Sequence, residues 1–430
     1  MTQTWHNWAR TAQCRPRSVR RPRSEEELLA AVRDAARAGH RLRVAGSGHS
    51  FTPLACTDGV LVDLAGYDRL LAADRDSGLV TVQAGMTLAR LNKLLAAHGL
   101  AMPNLGDIAY QSVAGAIATG THGTGIRLGN LSTVVESLRL VTGDGAVLDC
   151  SATANADVFG PARIGLGALG AVSTVTLRTV PAFTLAAVEE ALRLDDVLGR
   201  LDELVDGNDH FEFFWFPGTG HVLAKRNNRT AEPARPRGRI SAWANDIVLS
   251  NVVLDVACRA ARGWSPAARV IHEVAPRLGR TEYSDASDRV FASPRLVRFT
   301  ELEYAVPREA FAEAFGRLRR LAEAFGPRAF FPWECRFVAG DDIALSPAYG
   351  RDSAYLAVQL YQGIPYERFY RQVECVLDEF GGRPHWGKLH FQTCETLRGR
   401  YPRWPQFQAA RRRVDPDGLF TNDHLARVLG

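Results

Sequence analysis

The chain has 430 residues, of which 46% are hydrophobic and 23% charged, and a formal net charge of +5. Such a composition is typical of a soluble globular protein, the length suits two domains, and no apolar run reaches the roughly 18 residues of a membrane span. The charge is mild and dispersed, and no basic motif is interleaved with aromatic residues, so no nucleic-acid partner is predicted.

The cysteines and the N-terminus bear on compartment and metal content. The seven cysteines contain no CxxC pair, which favours reduced thiols over a disulfide framework or a zinc site, and no metal is predicted. The segment "MTQTWHNWAR" lacks the apolar core of a secretory signal, which predicts a cytoplasmic protein. Only three of the 52 basic residues are lysine, namely Lys93, Lys225 and Lys388. Where arginine is the default, a lysine marks a position at which arginine would not serve.

The first part of the chain predicts short elements around glycine-rich loops. A helix is predicted over residues 24–39, with Ser24 as N-cap, Glu27 completing a capping box and Gly39 at the end. Strands follow over "RLRVAG", "GVLVDLAG" and "LVTVQAG", then a helix over "TLARLNKLLAAHG". A hairpin over "VVESLRLVTGDGAVLDC" turns at Gly-Asp-Gly, and a proline ends the strand in "GAVSTVTLRTVPAF".

Aromatic-rich strands and amphipathic helices characterise the next part. "FEFFWFP", "FTELEYAVP" and "AYLAVQLYQ" predict strands, and helices are predicted over "REAFAEAFGRLRRLAEAFG" and "YERFYRQVECVLDEFGG". This alternation indicates a separate α+β domain. Residues 230–295 have no clear pattern, and "DPDGLFTNDHLARVLG" at the end predicts a turn and a short strand or helix.

Two glycine-rich stretches fall short of a dinucleotide fingerprint. "GLGALG", residues 165–170, matches G-x-G-x-x-G, but the β-branched run "VSTVTL" follows where a helix should open. "RVAGSGHSFT", residues 43–52, has Gly46 and Gly48 but Phe51 in place of the third glycine. Neither stretch predicts the usual NAD site.

Four ordered motifs instead point to another family. They are "RVAGSGHSF", "NLGDIAYQSVAGAIATGTHGTG", "RPHWGKLHF" and "DPDGLFTNDHL". On these the chain resembles, over nearly its whole length, the vanillyl-alcohol-oxidase-type FAD proteins, and among them the sugar-lactone and alditol oxidases. The resemblance implies an α+β fold with a two-subdomain PCMH-type FAD-binding domain over 1–182. It also implies an α+β cap domain over 183–398, inserted before a C-terminal segment, 399–430, that returns to the FAD domain.

The resemblance implies that backbone N–H groups of the loop matching residues 43–51 wrap the FAD pyrophosphate, where small residues allow a close approach. It further implies that a ring nitrogen of His49 is bonded to the 8-methyl carbon of the flavin. The alternative is a histidine that only hydrogen-bonds within a turn. The residues predicted to contact FAD are Val44, Ala45, Gly46, Ser47, Gly48, His49, Ser50, Gly106, Asp107, Ser112, Gly115, Thr119, Gly120, Thr121, His122 and Val172.

Three residues of the second motif carry further expectations. Asp107 stands where alditol oxidase has a serine near flavin N5, which puts alditol specificity in doubt and makes Asp107 a predicted substrate contact as well. Relatives that exclude oxygen can carry a bulkier residue at the position of Gly106, so glycine favours an oxidase. His122 is expected to be a packed, hydrogen-bonded histidine beside the cofactor rather than a catalyst.

The predicted catalytic residues lie in the cap. "WECRF" places Glu334 and Arg336 two apart on a strand, hence on one face, and the resemblance directs that face to the flavin. A structural salt bridge is the alternative. Lys388, in "RPHWGKLHF", is a compact cation that would assist formation of an alkoxide.

Three further cap residues are predicted to contact substrate. His385, three residues before Lys388, is a weaker candidate. Gln359 and Tyr361 share one face of the strand in "YLAVQLYQG". For Gln359 and Tyr361, the sequence fits a contact with substrate and ordinary packing within the sheet about equally well.

The resulting function is FAD-dependent oxidation of an alcohol group of a sugar-derived 1,4-lactone or polyol, by hydride transfer to flavin N5. Oxygen, giving hydrogen peroxide, or another electron acceptor would reoxidise the flavin. Two alternatives stay open: a dehydrogenase of the same fold that uses a cytochrome or quinone, and a flavin-binding protein without turnover. The Glu-x-Arg and His-Trp-Gly-Lys motifs argue against the last, because flavin binding alone requires neither.

Overall fold

The computed structural model describes residues 4–238, 255, 258–259, 279–293 and 296–430. The stretch 230–295, which has no clear pattern in the sequence, lies partly outside these ranges. The strands of the described part, β1 to β20, are Trp5–His6, Gln13–Cys14, Ser18–Arg20, Leu42–Ala45, Val60–Asp63, Leu70–Ala73, Leu79–Gln83, Leu100–Ala101, Val135–Val141, Val147–Ser151, Ala171–Arg178, Val180–Pro181, Thr184–Arg193, His210–Trp215, His221–Thr230, Thr281–Ala286, Phe299–Pro307, Trp333–Val338, Ser353–Tyr361 and Arg383–Pro384.

The α-helices for which the structure gives bounds are numbered α1 to α12. They are Glu25–Arg37, Leu88–Ala97, Val113–Ala118, Ala156–Ala162, Leu194–Gly199, Leu201–Asp206, Ser287–Phe291, Phe311–Phe325, Glu367–Glu379, Cys394–Leu397, Trp404–Val414 and Asp423–Leu429. None of the helices in the described ranges is both long and apolar enough to pass through a bilayer.

Helix α1 shows how closely local sequence signals set an element. Ser24 is its N-cap and accepts a hydrogen bond from the Glu27 backbone N–H at 3.3 Å. The Glu27 carboxylate accepts from the backbone N–H of Arg23 at 2.8 Å. A capping box would use the N–H of Ser24 instead, so the interaction is shifted by one residue from the predicted box. The chain leaves the helix at Gly39, whose φ of +64° suits glycine.

Two small sheets form the first part of the molecule. Strands β3, β5 and β4 make a parallel sheet, covered by α1 through Leu28 and Val32. Strands β10, β9, β11, β7 and β6 make an antiparallel sheet, in which β9 and β10 form the predicted hairpin. Helices α1 to α4 and several glycine-rich loops connect these strands.

An eight-stranded antiparallel sheet forms the second part, in the order β16-β13-β15-β14-β18-β19-β17-β20. The three segments predicted as strands are β14, β17 and β19, and the two helices predicted in this part are α8, after β17, and α9, after β19. This sheet has a hydrophobic core of its own, which includes Phe213, Trp215 and Trp333. Separate cores support the expectation of a second α+β unit.

The end of the chain returns to the first part. Phe407 and Val428, from α11 and α12, pack in the core of the antiparallel five-stranded sheet. Phe420, in the turn before α12, packs beneath the parallel sheet. Trp386 and Leu397 already belong to the first of these cores, although they precede residue 399. The final segment is a turn followed by a helix, which decides between the strand and helix alternatives.

Candidate active site

The loop after β4 forms one wall of a cavity between the glycine-rich loops. Val44, Gly46 and Ser47 line this first cavity, followed by Gly48, His49 and Ser50. A Cβ at Gly46 would lie 2.1 Å from Ser112 Oγ, so no larger residue fits between the loop and that side chain. Gly48 has a φ of +70°, a backbone conformation that glycine adopts at no steric cost.

Two more loops complete the first cavity. Ser112 caps the short helix α3 by accepting from the Gly115 N–H at 3.2 Å, and Thr119 follows the helix. The "GLGALG" stretch, 165–170, forms turns that run straight into β11, so it does not open a helix as a dinucleotide fingerprint does. Its glycines nevertheless line the cavity beside Val172.

A buried arginine holds these loops together. The Arg43 guanidinium donates to the carbonyl oxygens of Leu54 at 2.9 Å, Leu166 at 2.8 Å and Gly167 at 2.8 Å. It also donates to Phe420 O at 2.5 Å, in the returning C-terminal segment. Burial lowers the pKa of Arg43 to about 10, so the side chain stays charged at neutral pH. One side chain therefore joins loops from three separate parts of the sequence.

The first cavity suits the dinucleotide part of FAD. Its walls offer backbone N–H groups, the hydroxyls of Ser47, Ser50 and Ser112, and a close approach that a Cβ at Gly46 would block. Backbone amides in glycine-rich turns are common anion sites. The donor set therefore fits a pyrophosphate and its riboses.

His49 lines both the first cavity and a second, larger one of about 370 Å³ beneath the eight-stranded sheet. Burial lowers the pKa of His49, which keeps the imidazole neutral at neutral pH. A neutral imidazole has a free ring-nitrogen lone pair. The residue is thus placed where a cofactor in one cavity would meet a substrate in the other.

Arg336 and three carboxylates occupy one side of the second cavity. Glu334 and Arg336 are on β18 with both side chains buried, and Arg336 Nη2 lies 2.7 Å from Glu334 Oε1. The guanidinium also donates to Asp107 and, through Nε at 2.8 Å, to Glu212. Burial alone lowers the pKa of Arg336, but Asp107, Glu212 and Glu334 reverse this and hold it well above its usual value. Arg336 is therefore a fixed cation in the cavity wall.

Lys388 is held in a similar way on another side. Its ammonium donates to Glu301 and lies 3.4 Å from Glu303 Oε2, and both carboxylates project from β17. It also lies 5.4 Å from the centroid of the Phe51 ring. Burial alone lowers the pKa of Lys388, but Glu301 and Glu303 together raise it above its usual value. Lys388 is thus an ammonium, and no free base in the resting site.

Two histidines extend the Lys388 group. His122 Nε2 lies 3.0 Å from Glu303 Oε1, and His122 Nδ1 lies 2.8 Å from the Gly123 carbonyl oxygen. Although burial favours the neutral acid, Lys388 and His122 hold the pKa of Glu303 well below its usual value. Burial lowers the pKa of His385 to about 3, so that ring is neutral. His122 is packed and hydrogen-bonded, as expected from the sequence.

Two groups of side chains in the described residues have ligand atoms within 4.8 Å of one another, the spacing of a metal site. They are His122, Glu303 and His385, and Asp107, Glu212 and Glu334. In each group an internal cation already contacts the carboxylates: Lys388 in the first and Arg336 in the second. These cations supply the positive charge that a metal would otherwise provide, and so a metal is not needed to explain either group.

The structure divides the predicted site residues between the two cavities. The first is lined by Val44, Gly46, Ser47, Gly48, His49, Ser50, Ser112, Gly115, Thr119 and Val172. The second is lined by His49, Gly106, Asp107, Thr121, His122, Glu334, Arg336, Gln359, His385 and Lys388.

Three predicted residues are not among those lining either cavity. Ala45 is buried in the parallel sheet, and a Cβ at Gly120 would face Ile164 at 3.1 Å. Tyr361 packs near Phe331 in the core of the eight-stranded sheet, and its hydroxyl donates to Asp255 at 2.7 Å. Of the pair predicted on β19, only Gln359 faces the cavity, where it donates to Glu301 at 3.2 Å. Tyr361 is the last residue of β19, two positions beyond Gln359, and its contacts are with core residues rather than with the cavity.

The sequence analysis missed several residues that line the site. Arg43, Trp5 and Gln111 line the first cavity, while Trp8, Gln111, Glu301 and Glu303 line the second. One signal could have found two of them. Glu301 and Glu303 alternate in the otherwise apolar strand "FTELEYAVP", just as Glu334 and Arg336 alternate in "WECRF". Paired charges on one face of a buried strand require a partner inside the protein.

Two protein families match most of the chain. The family described as D-arabinono-1,4-lactone oxidase matches residues 175–428, and the family described as FAD binding domain matches residues 16–151. The chain is 46% identical over 440 residues to L-gulono-1,4-lactone dehydrogenase of Mycobacterium tuberculosis, and the match covers 100% of both chains. It is 35% identical over 434 residues to L-gulonolactone oxidase of Bos taurus, covering 99% of this chain and 98% of the relative. Alditol oxidase of Streptomyces is 33% identical over 438 residues, with 98% of each covered.

Solved structures show the fold. A solvent-stable cholesterol oxidase superposes with a TM-score of 0.79 at 21% identity, covering 99% of this chain and 97% of that chain. Cholesterol oxidase from B. sterolicum gives 0.78 at 18% identity, covering 100% and 97%. The chain therefore belongs to the D-arabinono-1,4-lactone oxidase family of FAD-linked oxidoreductases, with a PCMH-type FAD-binding domain.

Proposed function

We propose that the protein oxidises an alcohol group of a sugar-derived 1,4-lactone or polyol. Bound FAD would supply the hydride acceptor, flavin N5. The observation that carries the proposal is the pair of fixed cations, Arg336 and Lys388, in a cavity that meets the glycine-lined one at His49. Relatives named for lactone and alditol oxidation share the whole length of the chain.

Arg336 and Lys388 would donate hydrogen bonds to substrate oxygens and stabilise the alkoxide that forms as the hydroxyl proton leaves. The alkoxide would become a carbonyl as the hydrogen on the same carbon leaves as hydride. Glu334 is the carboxylate proposed to accept the hydroxyl proton, because it lies beside Arg336 on the cavity wall. Asp107, Gln359 and His385 line the same cavity and are the proposed substrate contacts. His385 Nδ1 accepts from the Gly387 N–H at 3.0 Å, so the neutral ring carries its proton on Nε2 and can donate a hydrogen bond without adding charge.

We propose that His49 carries the flavin through a covalent bond. Its place between the cavities and its neutral ring support the proposal, since bond formation consumes a nitrogen lone pair. Flavin that stays on the denatured protein and fluoresces on an acid gel is the expected result. Complete release of flavin into the supernatant would contradict covalent attachment.

Oxygen is the acceptor that we propose, because Gly106 lines the second cavity beside Asp107 and places no side chain there. A dehydrogenase that passes electrons to a cytochrome or quinone is the second candidate, and a relative named as a dehydrogenase favours it. Oxygen consumption and peroxide formation during turnover separate the two. Reduced enzyme that persists in air and reacts with a quinone would favour the dehydrogenase.

We also propose the division into an FAD domain over 1–182, a cap over 183–398 and a returning segment over 399–430. A cytoplasmic location is proposed from the cysteines, since all seven are free thiols. Fractionation of cells with an antibody against the chain tests the location.

Anaerobic flavin reduction tests the proposed activity. The purified protein would be mixed with L-gulono-1,4-lactone, D-arabinono-1,4-lactone, xylitol and sorbitol, and the flavin absorbance followed. We expect at least one lactone or polyol to bleach the flavin of the wild type. Each such compound should reduce the flavin of Arg336→Ala more slowly than it reduces that of the wild type. If none of the compounds bleached the flavin of the wild type, a flavin-binding protein without turnover would be favoured.

A further inference from the structure

The N-terminal hairpin, residues 5–14, contains none of the four motifs that point to the family. Trp5 pairs with Cys14 and His6 with Gln13 in antiparallel register. Asn7, which is 3% exposed, closes the hairpin by accepting from the Ala12 N–H at 3.1 Å. The hairpin is therefore closed by hydrogen bonds between its own residues.

This hairpin is attached to the loop that carries His49. The Trp8 N–H donates to the Gly48 carbonyl at 2.8 Å, just before the histidine. Just after it, the Asn7 side chain donates to the Ser50 carbonyl at 2.9 Å and the Thr11 hydroxyl donates to the Phe51 carbonyl at 2.6 Å. Carbonyls on both sides of His49 are thus bonded to one short segment, which restricts the backbone at that residue.

The indole of Trp8 continues the contact into the second cavity. Its centroid lies 5.8 Å from that of the His49 ring, and 5.6 Å from that of Phe299 in an edge-on arrangement. Phe299 begins β17, the strand that presents Glu301 and Glu303 to Lys388. Trp8 is partly buried and lines the second cavity. The ring therefore lies between the imidazole and the strand that holds the second cation.

We propose that Trp8 is a positioning residue of the active site, which fixes the His49 ring and presents an apolar wall to the carbon skeleton of the substrate. The second half of this statement rests on the proposed function, and the first half does not. The C–H groups of a sugar lactone or polyol pack well on an aromatic face, while its hydroxyls turn to Arg336 and Lys388. The wall and the two cations together would orient the alcohol to be oxidised.

The test compares Trp8→Ala, Trp8→Leu and Trp8→Phe with Gln13→Ala, a change on the exposed side of the same hairpin. Anaerobic stopped-flow reduction by L-gulono-1,4-lactone gives the apparent Kd and the limiting rate per bound flavin. Loss of a half-buried indole contact is expected to raise the apparent Kd of Trp8→Ala about 10- to 100-fold. Trp8→Phe should stay within about threefold, since it keeps a ring. Gln13→Ala should match the wild type.

Circular dichroism of the bound flavin between 300 and 500 nm is the readout that does not depend on activity. We expect a changed spectrum in Trp8→Ala and an unchanged one in Gln13→Ala. If Trp8→Ala does not fold, a larger apparent Kd for Trp8→Leu than for Trp8→Phe supports the proposal, and equal values contradict it. Wild-type Kd and wild-type dichroism in Trp8→Ala would overturn it. If no lactone or polyol reduces the wild type, the proposed function fails, and an unchanged dichroism would still refute the positioning role.

Discussion

Replacing Lys388 by methionine would remove the cation from a buried group of carboxylates. The carboxylates of Glu301 and Glu303, whose side chains are 3% and 5% exposed, would then face each other without the ammonium. Breaking a buried ion pair from one side costs about 3–5 kcal/mol of folding stability. Because 22% of the Lys388 side chain is exposed, we expect a smaller loss than this, about 2–3 kcal/mol. Chemical denaturation measures this loss.

The same variant is expected to lose about 10²- to 10³-fold in the limiting rate of flavin reduction, the range for one positioned donor. Adding Glu301→Gln removes one of the stranded charges. The double variant should therefore regain much of the stability but none of the rate. Anaerobic stopped-flow, normalised to bound flavin, gives the rate for both variants.

Lys225→Met is the matched control. The Lys225 side chain is 20% exposed and its ammonium lies 3.4 Å from Glu212, but it is not among the residues that line the second cavity. It should lose a similar or smaller amount of stability, with much less effect on the rate. If the Lys388 variant were destabilised yet reduced at the wild-type rate, or if the double variant regained both properties, Lys388 would be structural and the reasoning wrong.

Four further outcomes are expected. Gly106→Ala should slow reoxidation of the reduced enzyme by oxygen, because the added Cβ would lie 3.0 Å from the His122 carbonyl oxygen and shift the cavity wall there. An unchanged rate of reoxidation in stopped-flow would refute this. Arg336→Ala should lower the second-order rate constant of reduction about 10- to 100-fold, as for a lost charge-assisted hydrogen bond; lower thermal stability with unchanged reduction would instead indicate a structural salt bridge. His49→Ala should release all flavin on denaturation, which gel fluorescence detects against the wild type. Burial lowers the pKa of His385 to about 3, so below about pH 6.5 the unfolded chain binds a proton there that the folded chain does not. This difference lowers the free energy of unfolding by up to about 1.4 kcal/mol for each pH unit below about pH 6.5. Denaturation between pH 4 and 6.5 should therefore show a smaller dependence of stability on pH in His385→Gln than in the wild type.

Local signals in the sequence were enough for many elements and for the order of the motifs. Ser24 and Gly39 mark the ends of α1, and the Gly-Asp-Gly turn marks the hairpin of β9 and β10. The alternation of Glu334 and Arg336 correctly placed both side chains on one strand face, where they contact each other. Such features depend on neighbours within a few residues, and those are visible in a single sequence.

Features that depend on distant partners were not predictable in the same way. Alternation placed Tyr361 on the same strand face as Gln359, but the tyrosine, at the end of β19, packs in the core and does not line the cavity. Glu301 and Lys388 are 87 residues apart, and nothing in either motif specifies their contact. Trp8 belongs to the site only because its hairpin docks on the loop of His49.

The hydrogen bond from Arg43 to the Phe420 carbonyl oxygen makes the cofactor site depend on the C-terminal segment. The Leu42 N–H also donates to the Leu419 carbonyl at 2.8 Å, and the Asn422 side chain donates to Pro53 O at 3.0 Å. A site that begins within the first 50 residues is thus completed by a segment about 370 positions later in the sequence. A chain truncated before residue 415 is therefore expected to bind no FAD in a fluorescence titration. Removal of this segment would disable the cofactor site although none of its residues is among those that line the first cavity.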